Sequence, residues 1–401
     1  MNHLFVTQDF GPDLGGMSRR HVELCRRFGE GSDTMQVSTV ASARSDAYDG
    51  REPYPIHRQP FPFSEANRLT NQIKWGRWIT RFCRDRVDVI HCGNIRPVGY
   101  AVWWAHKRLE IPYLVYVNGG DLLRERQKSA RGRLKRVTAR RILGSAAGIV
   151  ATSRWVAELA GEVMDAVGVT SMPPVSALDL GTDPAVFHPG RDTAVLRERW
   201  GVGDAPLMLT VARLVPHKGQ DIGIEALATL KDEFPSLRYV LVGDGHDEER
   251  LRELANDRGV RGRVVFAGSL ADDELPEAYA TSTLYVGTSR IDNEINAEGF
   301  GISFLEAASS GLPVVAGDSG GVRSAVQNGE TGVVVPPTDV AAVAGAIAGF
   351  LRDEARRAAF GAAGRLAVET HYNWDRVARE TRDFTHVVVR NSGQVTQNVR
   401  A

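Results

Sequence analysis

Short apolar runs alternate with longer amphipathic stretches along the whole 401-residue chain. The short runs predict buried strands, and the apolar positions that recur every three to four residues between them predict helices. Strand–helix alternation is typical of parallel sheets covered on both faces. Two such series predict an α/β chain with two doubly wound domains. The predicted strands are Leu4–Thr7, Gln36–Val40, Val87–His91, Tyr113–Val117 and Gly148–Thr152, followed by Leu207–Val211, Tyr239–Val242, Val264–Phe266, Leu284–Val286, Pro313–Ala316 and Gly332–Val335. The clearest predicted helices are Met17–Phe28, Trp75–Arg86, Asp221–Asp232 and Glu248–Arg258.

Breaks in this pattern place a domain boundary near residue 180. Proline and glycine punctuate the chain at Ser171–Pro174 and again at 181–190. We therefore assign residues 1–180 to a first Rossmann-like domain and residues 181–370 to a second. Residues 371–401 form a C-terminal segment whose end, from Asn391, is expected to be frayed.

Composition is that of an ordinary globular enzyme, with 43% apolar and 24% charged residues. No apolar run approaches the roughly 18–20 residues that a membrane span needs, and the first residues lack the pattern of a signal peptide. The three cysteines fit neither a zinc site nor a disulfide framework. We therefore expect an enzyme of the reducing cytoplasm.

Charge is balanced overall but unevenly distributed. Residues 1–175 hold 26 Lys+Arg against 17 Asp+Glu, and residues 176–401 hold 23 against 32, which indicates different partners for the two halves. The run Arg124–Arg141 carries nine Lys+Arg and one acid, Glu125. A solvated helix is the simpler interpretation, and weak contact with the inner face of an anionic membrane or with an anionic soluble acceptor is the alternative. Nucleic acid is not expected, because no aromatic residues interleave with these cations.

Two segments of the first half are candidates for ligand contact. Phe10–Gly16 follows the first strand and opens a helix, so Gly15 and Gly16 would let backbone amides approach an anion. A tight strand-to-helix turn is the alternative. The stretch 53–62 is either a mobile acceptor loop or a surface connection.

Arg213 and Lys218 follow the predicted strand Leu207–Val211. The carboxyl end of a parallel strand is where such sheets bind ligands. Arginine can grip a diphosphate with two hydrogen bonds and lysine adds a point charge, so the pair could stabilise a leaving nucleoside diphosphate. A solvated loop is the alternative. Weaker candidates are Gly243, in a turn after a strand, and Phe266, in a segment that could present backbone groups to a base.

The segment from Glu298 to Glu306 carries the strongest signal. Its glycines precede a helix predicted at Ile302–Ser309, with Glu298 in the loop before the helix and Glu306 about one turn into it. Each carboxylate could accept hydrogen bonds from sugar or ribose hydroxyls. The alternative is one glutamate that favours the helix dipole and one that is solvated. Backbone amides that would point at an anion belong to residues 299–303, including Gly299, Phe300, Gly301 and Ile302.

These motifs, in this order, resemble the retaining GT-B glycosyltransferases of family GT4, which includes bacterial mannosyltransferases and sucrose-phosphate synthases. The resemblance spans nearly the whole chain. At the subfamily level it is looser, and points to phosphatidylinositol mannosyltransferases and natural-product transferases of high-GC bacteria. The matching motifs are F-x-P-x-x-G-G at 10–16, R-x4-K at 213 and 218, E-x7-E at 298 and 306, G-x-P-V-V-A at 311–316, and a late tryptophan segment at 371–374.

The resemblance implies a GT-B fold, with two Rossmann-like domains facing across a cleft and a last helix that crosses back to the first domain. It implies transfer of a hexosyl or related unit from a UDP- or GDP-linked sugar to a hydroxyl of a small-molecule or lipid-linked acceptor, with retention, without a metal and without a tightly bound cofactor. The acceptor would bind the first domain and the donor the second. The implied contacts are Glu306 with the ribose, Arg213 and Lys218 with the diphosphate, Glu298 and the 299–303 backbone with the sugar, and Gly15 and Gly16 with the phosphate.

One position departs from the family. Where many members have a histidine near the reacting sugar, the loop after the fourth strand of the first domain carries Asn118. An asparagine can bond a hydroxyl but cannot carry a proton, so we assign no general acid or base. Asn118, Asp13 and Asp121 are candidates for the acceptor or sugar side.

Two other functions stay open on the same fold: a nucleotide-sugar epimerase and a non-catalytic nucleotide-sugar-binding protein. A dinucleotide oxidoreductase is disfavoured, because no G-x-G-x-x-G turn follows Leu4–Thr7.

Overall fold

The computed structural model describes the chain except for residues 13–14, 29–32, 64–67, 293–294 and 401, and at 68 and 393–400 it describes the backbone alone. The chain divides into two compact units. Unit 1 comprises Met1–Asp179 with Trp374–Ala401, and unit 2 comprises Leu180–Asn373.

Unit 1 contains a seven-stranded parallel sheet. Its strands are β1 (Asn2–Val6), β2 (Thr34–Val40), β3 (Ile56–Gln59), β4 (Val89–Cys92), β5 (Tyr113–Val117), β6 (Gly148–Ala151) and β7 (Val175–Ala177). The strand order is β3-β2-β1-β4-β5-β6-β7, so the order reverses between β1 and β4. Its helices up to residue 167 are α1 (Gly16–Phe28), α2 (Ser45–Asp49), α3 (Arg68–Cys83), α4 (Val98–Leu109), α5 (Gly120–Arg131), α6 (Arg133–Gly144) and α7 (Arg154–Val167).

Unit 2 contains a six-stranded parallel sheet of order β10-β9-β8-β11-β12-β13. Its strands are β8 (Leu207–Val211), β9 (Arg238–Val242), β10 (Val264–Gly268), β11 (Leu284–Gly287), β12 (Val314–Gly317) and β13 (Gly332–Val335). Its helices are α8 (Val195–Trp200), α9 (Gln220–Thr229), α10 (Glu248–Asp257), α11 (Leu275–Ala280), α12 (Ile302–Ser309), α13 (Val322–Ala325), α14 (Val340–Arg352) and α15 (Glu354–Thr370). The order reverses between β8 and β11, and loops at the carboxyl ends of such strands are where doubly wound sheets bind ligands.

The chain returns to unit 1 through α16 (Trp374–Arg400). This helix packs against α1 and β6, where a side chain on Gly148 would collide with the Phe384 ring. Within the described part of the chain, no helix combines the length and the apolar character of a bilayer span.

Two strands are absent from the sequence prediction. β3 occupies residues 56–59 of the stretch 53–62, so the middle of that stretch is an edge strand of the sheet. Its sequence, Ile-His-Arg-Gln, is mostly polar, and Gln59 is its one buried residue. β7 has three residues and no apolar run. The predicted basic helix across 124–141 is two helices, α5 and α6, separated by the extended residue Gly132.

Candidate functional site

Two loops of unit 2 meet at the carboxyl ends of β8 and β11. The first holds a short 3-10 turn, Pro216–Lys218, which ends at Gly219 with a φ of 75°. A Cβ on Gly219 would lie 2.1 Å from the carbonyl oxygen of Thr288, so only glycine fits between the loops. The Thr288 hydroxyl also donates to the Gly219 carbonyl at 2.7 Å. These contacts fix the position of Lys218 relative to the loop after β11.

Lys218 and Glu298 form an ion pair in this region. The Lys218 ammonium donates to Glu298 Oε2 at 2.6 Å, and the Ser289 hydroxyl donates to the same oxygen at 3.3 Å. The two side chains are 20% and 15% exposed. Burial raises the pKa of Glu298, but the charge and hydrogen bond of Lys218 outweigh it and hold that pKa below its usual range. The structure therefore brings together two predicted site residues that are 80 positions apart.

Arg213 and His217 flank this pair in the loop after β8. Arg213 is exposed, and its guanidinium makes no ion pair with a residue that the structure describes. Burial, with the charges of Lys218 and Arg213, lowers the pKa of His217 to about 4, so its imidazole is neutral at pH 7. The loop thus presents two cations and one neutral ring.

Helix α12 begins at Ile302, directly after Gly301, whose φ is 96°. A Cβ on Gly301 would lie 2.4 Å from the Phe304 ring, which explains the glycine in this position. Phe300 is buried with its ring near Tyr372, so only its backbone could face a ligand. Gly299 lies in the same loop, directly after Glu298 in the sequence.

Glu306 is the fifth residue of α12 and is 6% exposed, so the interpretation of a solvated glutamate is wrong. The Tyr279 hydroxyl donates to its Oε2 at 2.6 Å. Tyr279 is itself fully buried, with its ring against Phe187 and Tyr285. Tyr279 was not among the predicted residues, because an aromatic residue on a short helix was its only signal.

Gly243 and Phe266 have structural explanations of their own. Gly243 has a φ of 128°, and a Cβ there would lie 2.2 Å from the Ala212 carbonyl oxygen. The Phe266 ring is covered by the Arg252 guanidinium, 4.2 Å from the ring centre. Whether either contacts a ligand stays a prediction.

In unit 1, Gly15 and Gly16 stand at the start of α1. The Gly15 N–H donates to the Ser18 hydroxyl oxygen at 2.6 Å. A Cβ on either glycine would meet no atom within 4 Å, so packing among the described residues does not require glycine there. Asp13 lies outside the described residues.

Asn118 lies in the short connection between β5 and α5, and Asp121 lies in the first turn of α5. Asp121 Oδ1 accepts the backbone N–H groups of Asn118, at 2.9 Å, and Leu122, at 3.0 Å. Burial raises the pKa of Asp121, and these hydrogen bonds oppose that effect. Both predicted residues therefore lie together at the carboxyl edge of the sheet.

Arg20 of α1 reaches the same loop and was not predicted. It is 1% exposed, and its Nη1 donates to Asn118 Oδ1 at 3.0 Å. Burial lowers the pKa of Arg20 to about 10, which still leaves the side chain charged at pH 7. Its guanidinium lies 4.8 Å from the centre of the Tyr116 ring.

Comparison with known proteins fits this arrangement. Residues 15–173 match the family described as "Glycosyl transferase 4-like domain", and residues 192–367 match "Glycosyl transferases group 1". A GDP-mannose-dependent alpha-(1-6)-phosphatidylinositol monomannoside mannosyltransferase of Mycobacterium tuberculosis is 31% identical over 95% of this chain and 97% of its own length. The chain belongs to the group 1, GT4-like glycosyltransferases. The prediction that it is a glycosyltransferase is therefore confirmed.

Two further similarities extend this result. A D-inositol 3-phosphate glycosyltransferase of Xylanimonas cellulosilytica is 28% identical to the enzyme over 91% of this chain and 90% of its own. The crystal structure of Anabaena HepE in complex with UDP and glucose matches with a TM-score of 0.76 at 21% identity, over 96% of this chain and 99% of that one. The predicted GT-B fold is confirmed by this structural match.

Proposed function

We propose that the enzyme transfers a hexosyl unit, with retention, from a nucleoside-diphosphate sugar to a hydroxyl of a polyol or glycolipid. The observation that carries the proposal is the Lys218–Glu298 ion pair beside Arg213 at the carboxyl end of β8. Relatives named for GDP-mannose, phosphatidylinositol mannoside and inositol 3-phosphate support a mannosyl-type donor and an inositol-type acceptor. The structure bound to UDP supports a nucleotide donor.

In this proposal the two cations hold the diphosphate. Cleavage of the glycosidic bond adds negative charge to the leaving nucleoside diphosphate, and fixed cations beside it stabilise that transition state more than the ground state. Arg213 is available for two parallel hydrogen bonds to phosphate oxygens. Lys218 already balances Glu298, so donor binding gives its ammonium a second anionic partner. We propose that these cations stabilise the charge of the leaving diphosphate, as a divalent metal does in other transferases.

The two carboxylates have different roles in the proposal. Glu298 accepts a hydrogen bond from a hydroxyl of the transferred sugar, with the backbone of 299–303 around it. Glu306, which Tyr279 holds at one oxygen, accepts from the ribose. Eight positions separate the two glutamates, and one lies before α12 while the other lies within it. In this proposal they bind opposite ends of one donor, the sugar and the ribose, and need not act as an acid–base pair on the glycosidic bond.

The acceptor is proposed to bind unit 1, where Asn118 and Asp121 lie. A lipid-linked acceptor would bring the enzyme to a membrane surface. The cations of α5 and α6 are mostly exposed, as is Leu134 at 75%. Exposed cations beside an exposed apolar side chain suit an anionic interface. Glu125 does not weaken this surface, because it is buried and paired with Arg96 at 2.9 Å.

The decisive experiment begins with a thermal-shift panel of UDP-, GDP-, ADP- and TDP-sugars. A ligand at a hundred times its dissociation constant should stabilise the enzyme by about 2.7 kcal/mol. Transfer from the selected donor to myo-inositol and to phosphatidylinositol vesicles is then followed with and without EDTA. The coupling of the anomeric proton in the product should show retention.

Lys218→Ala and Glu298→Ala should each lower turnover at least about a hundredfold, or about 2.7 kcal/mol in the barrier. Lys231→Ala removes another lysine of unit 2 and should leave turnover near normal. Inversion at the anomeric carbon would refute the mechanism, and near-normal turnover in both site variants would refute the site. Conversion of the donor without any acceptor would instead indicate an epimerase.

A further inference from the structure

The Asn118 side chain is held in one orientation by Arg20. A guanidinium has only donors, so the amide atom that faces Arg20 Nη1 at 3.0 Å must be the oxygen. The amide nitrogen, Nδ2, is then turned away from Arg20. It is buried and has no hydrogen-bond partner among the residues that the structure describes.

Asp121 offers the complementary group. Its Oδ1 is committed to two backbone N–H groups, those of Asn118 and Leu122. Its Oδ2 is buried and accepts no hydrogen bond from any described residue. Buried polar atoms without a partner are uncommon in native proteins, because leaving them unsatisfied is unfavourable. The junction of β5 and α5 thus contains one donor and one acceptor that have no hydrogen-bond partner among the described residues.

We propose that Arg20 is a positioning residue that presents Asn118 Nδ2 beside Asp121 Oδ2, and that these two atoms together bind one hydroxyl group of a sugar or polyol ligand. The inference rests on the proposed function for the identity of that ligand. Like water, a hydroxyl group can accept from Nδ2 and donate to Oδ2 at once. An ether oxygen can only accept, and an ammonium group can only donate.

The placement of Arg20 is rigid enough for this role. The guanidinium lies over the Tyr116 ring, and its Nη2 donates to the Val150 carbonyl oxygen at 3.4 Å. The Tyr116 hydroxyl is 2.9 Å from His91 Nδ1, and His91 Nε2 is 2.9 Å from His3 Nδ1. Arg20 forms no direct ion pair with a described carboxylate, although the charge of Asp121 favours its protonated form, and its hydrogen bonds go to Asn118 and the Val150 carbonyl.

The first test uses singly deoxygenated substrates. The hydroxyl belongs either to the donor sugar or to the acceptor, so kcat/KM is measured for the donor selected in the thermal-shift panel, for myo-inositol, and for the monodeoxy analogues of each. In the wild-type enzyme one analogue should lose at least about a hundredfold in kcat/KM, because sites built around a hydroxyl reject ligands that lack it. Whether that analogue is a donor or an acceptor identifies the source.

Variants of Asn118 and Asp121 then test whether these two side chains form hydrogen bonds with that hydroxyl. In Asp121→Asn and in Asn118→Leu, the discrimination against the sensitive analogue should fall below about tenfold. Arg20→Met should lower kcat/KM for the natural substrate far more than kcat/KM for the sensitive analogue. Arg20→Lys should restore part of the difference in kcat/KM between the two. Arg84→Met, which removes an exposed arginine of unit 1, is the matched control and should change neither rate. Discrimination that persists in both Asp121→Asn and Asn118→Leu would overturn the hydroxyl site.

A second readout does not depend on turnover. With asparagine side chains labelled with nitrogen-15, Arg20→Met should shift the Asn118 Nδ2 signals and speed their exchange, whereas Arg84→Met should not. Myo-inositol or mannose added to the wild-type enzyme should shift the same signals. If no donor is bound or consumed, the proposed function fails while these signals still decide the inference. If transfer occurs but Arg20→Met changes neither the Asn118 Nδ2 signals nor the discrimination against the deoxy analogue, the inference alone fails.

Discussion

Replacing Lys218 with alanine should destabilise unit 2 as well as lower turnover. The ammonium lies 2.6 Å from Glu298 Oε2, and two unit charges at that distance attract by about 6 kcal/mol at an effective dielectric constant near 20. Desolvation offsets part of this attraction. Removing one partner of a fully buried pair costs about 3–5 kcal/mol. Because these side chains keep 20% and 15% exposure, we expect a loss near the lower end, about 3 kcal/mol at pH 7.

The sign of the pH dependence follows from the pKa of Glu298. In the wild-type protein that pKa is lowered, so the carboxylate stabilises the fold above about pH 4.3, the usual value for glutamate, and this contribution is lost as the pH falls through the lower folded value. In Lys218→Ala the effect of burial, which raises the pKa of Glu298, is no longer outweighed. The charged carboxylate then destabilises the fold at pH 7 until protonation relieves it. The stability gap between the two proteins should therefore narrow as the pH falls from about 7 to about 4.

Urea unfolding, followed by hydrogen exchange of unit 2 amides at several pH values, measures this gap. Lys231→Ala controls for loss of a lysine, because the described structure shows no ion pair for that residue. Lys218→Ala combined with Glu298→Gln should recover most of the lost stability, since the uncompensated charge is gone. A gap that stays constant across the pH range would refute the argument that the buried charge of Glu298 is its cause.

Two further predictions separate structural from ligand-related positions. Gly243→Ala should destabilise unit 2 by about 3 kcal/mol or more, because its φ of 128° and the Ala212 carbonyl oxygen exclude a side chain. Gly16→Ala should fold normally, because an alanine there meets no described atom within 4 Å, and yet lower turnover because Gly16 is proposed to contact the donor phosphate. Thermal melts and transfer rates check both variants, and normal turnover in Gly16→Ala would remove that glycine from the site. Tyr279→Phe should weaken nucleotide binding by about tenfold, or about 1.4 kcal/mol, while kcat changes little, because it removes one hydrogen bond that positions the Glu306 carboxylate proposed to hold the ribose. Calorimetry with UDP and GDP measures the dissociation constant, and an unchanged value would contradict that role.

The strands of both sheets were largely predictable, because a central parallel strand is buried on both faces and appears as a continuous apolar run. Each predicted strand is present within a few residues of its expected bounds. The two missed strands, β3 and β7, lie at the two edges of the unit 1 sheet. An edge strand has one neighbour and less burial, so its sequence lacks the apolar run that identifies a central strand. The start of α3 was missed for a different reason: the helix begins at Arg68, and its buried residues before Trp75 include the polar Asn71 and Gln72.

The sequence supplied the candidate residues of the site but not the contacts between them. The resemblance carried by the motifs implied that Arg213, Lys218, Glu298 and Glu306 contact one donor. The contact between Lys218 and Glu298 depends instead on β8 and β11 being neighbours in the sheet, and on a glycine that lets their following loops touch. Strand order is a property of the whole fold, so no local pattern carries it. The ligand roles of these residues remain predictions that the variants above test.

Arg20 and Tyr279 show what kind of residue a motif search overlooks. Both act, in our proposals, on a residue that touches ligand rather than on the ligand itself, so their chemistry is visible only once the partner is known. An arginine on a helix is ordinarily expected at the surface, and α1 has many. Burial of a guanidinium is unfavourable for folding, and the charge of Asp121 offsets only part of that cost, because burial still lowers the pKa of Arg20. Departures from ordinary burial rules are expected mainly at functional sites. The hydrogen bond from buried Arg20 to Asn118 is therefore the strongest reason to seek its role in Asn118, and through Asn118 in the ligand.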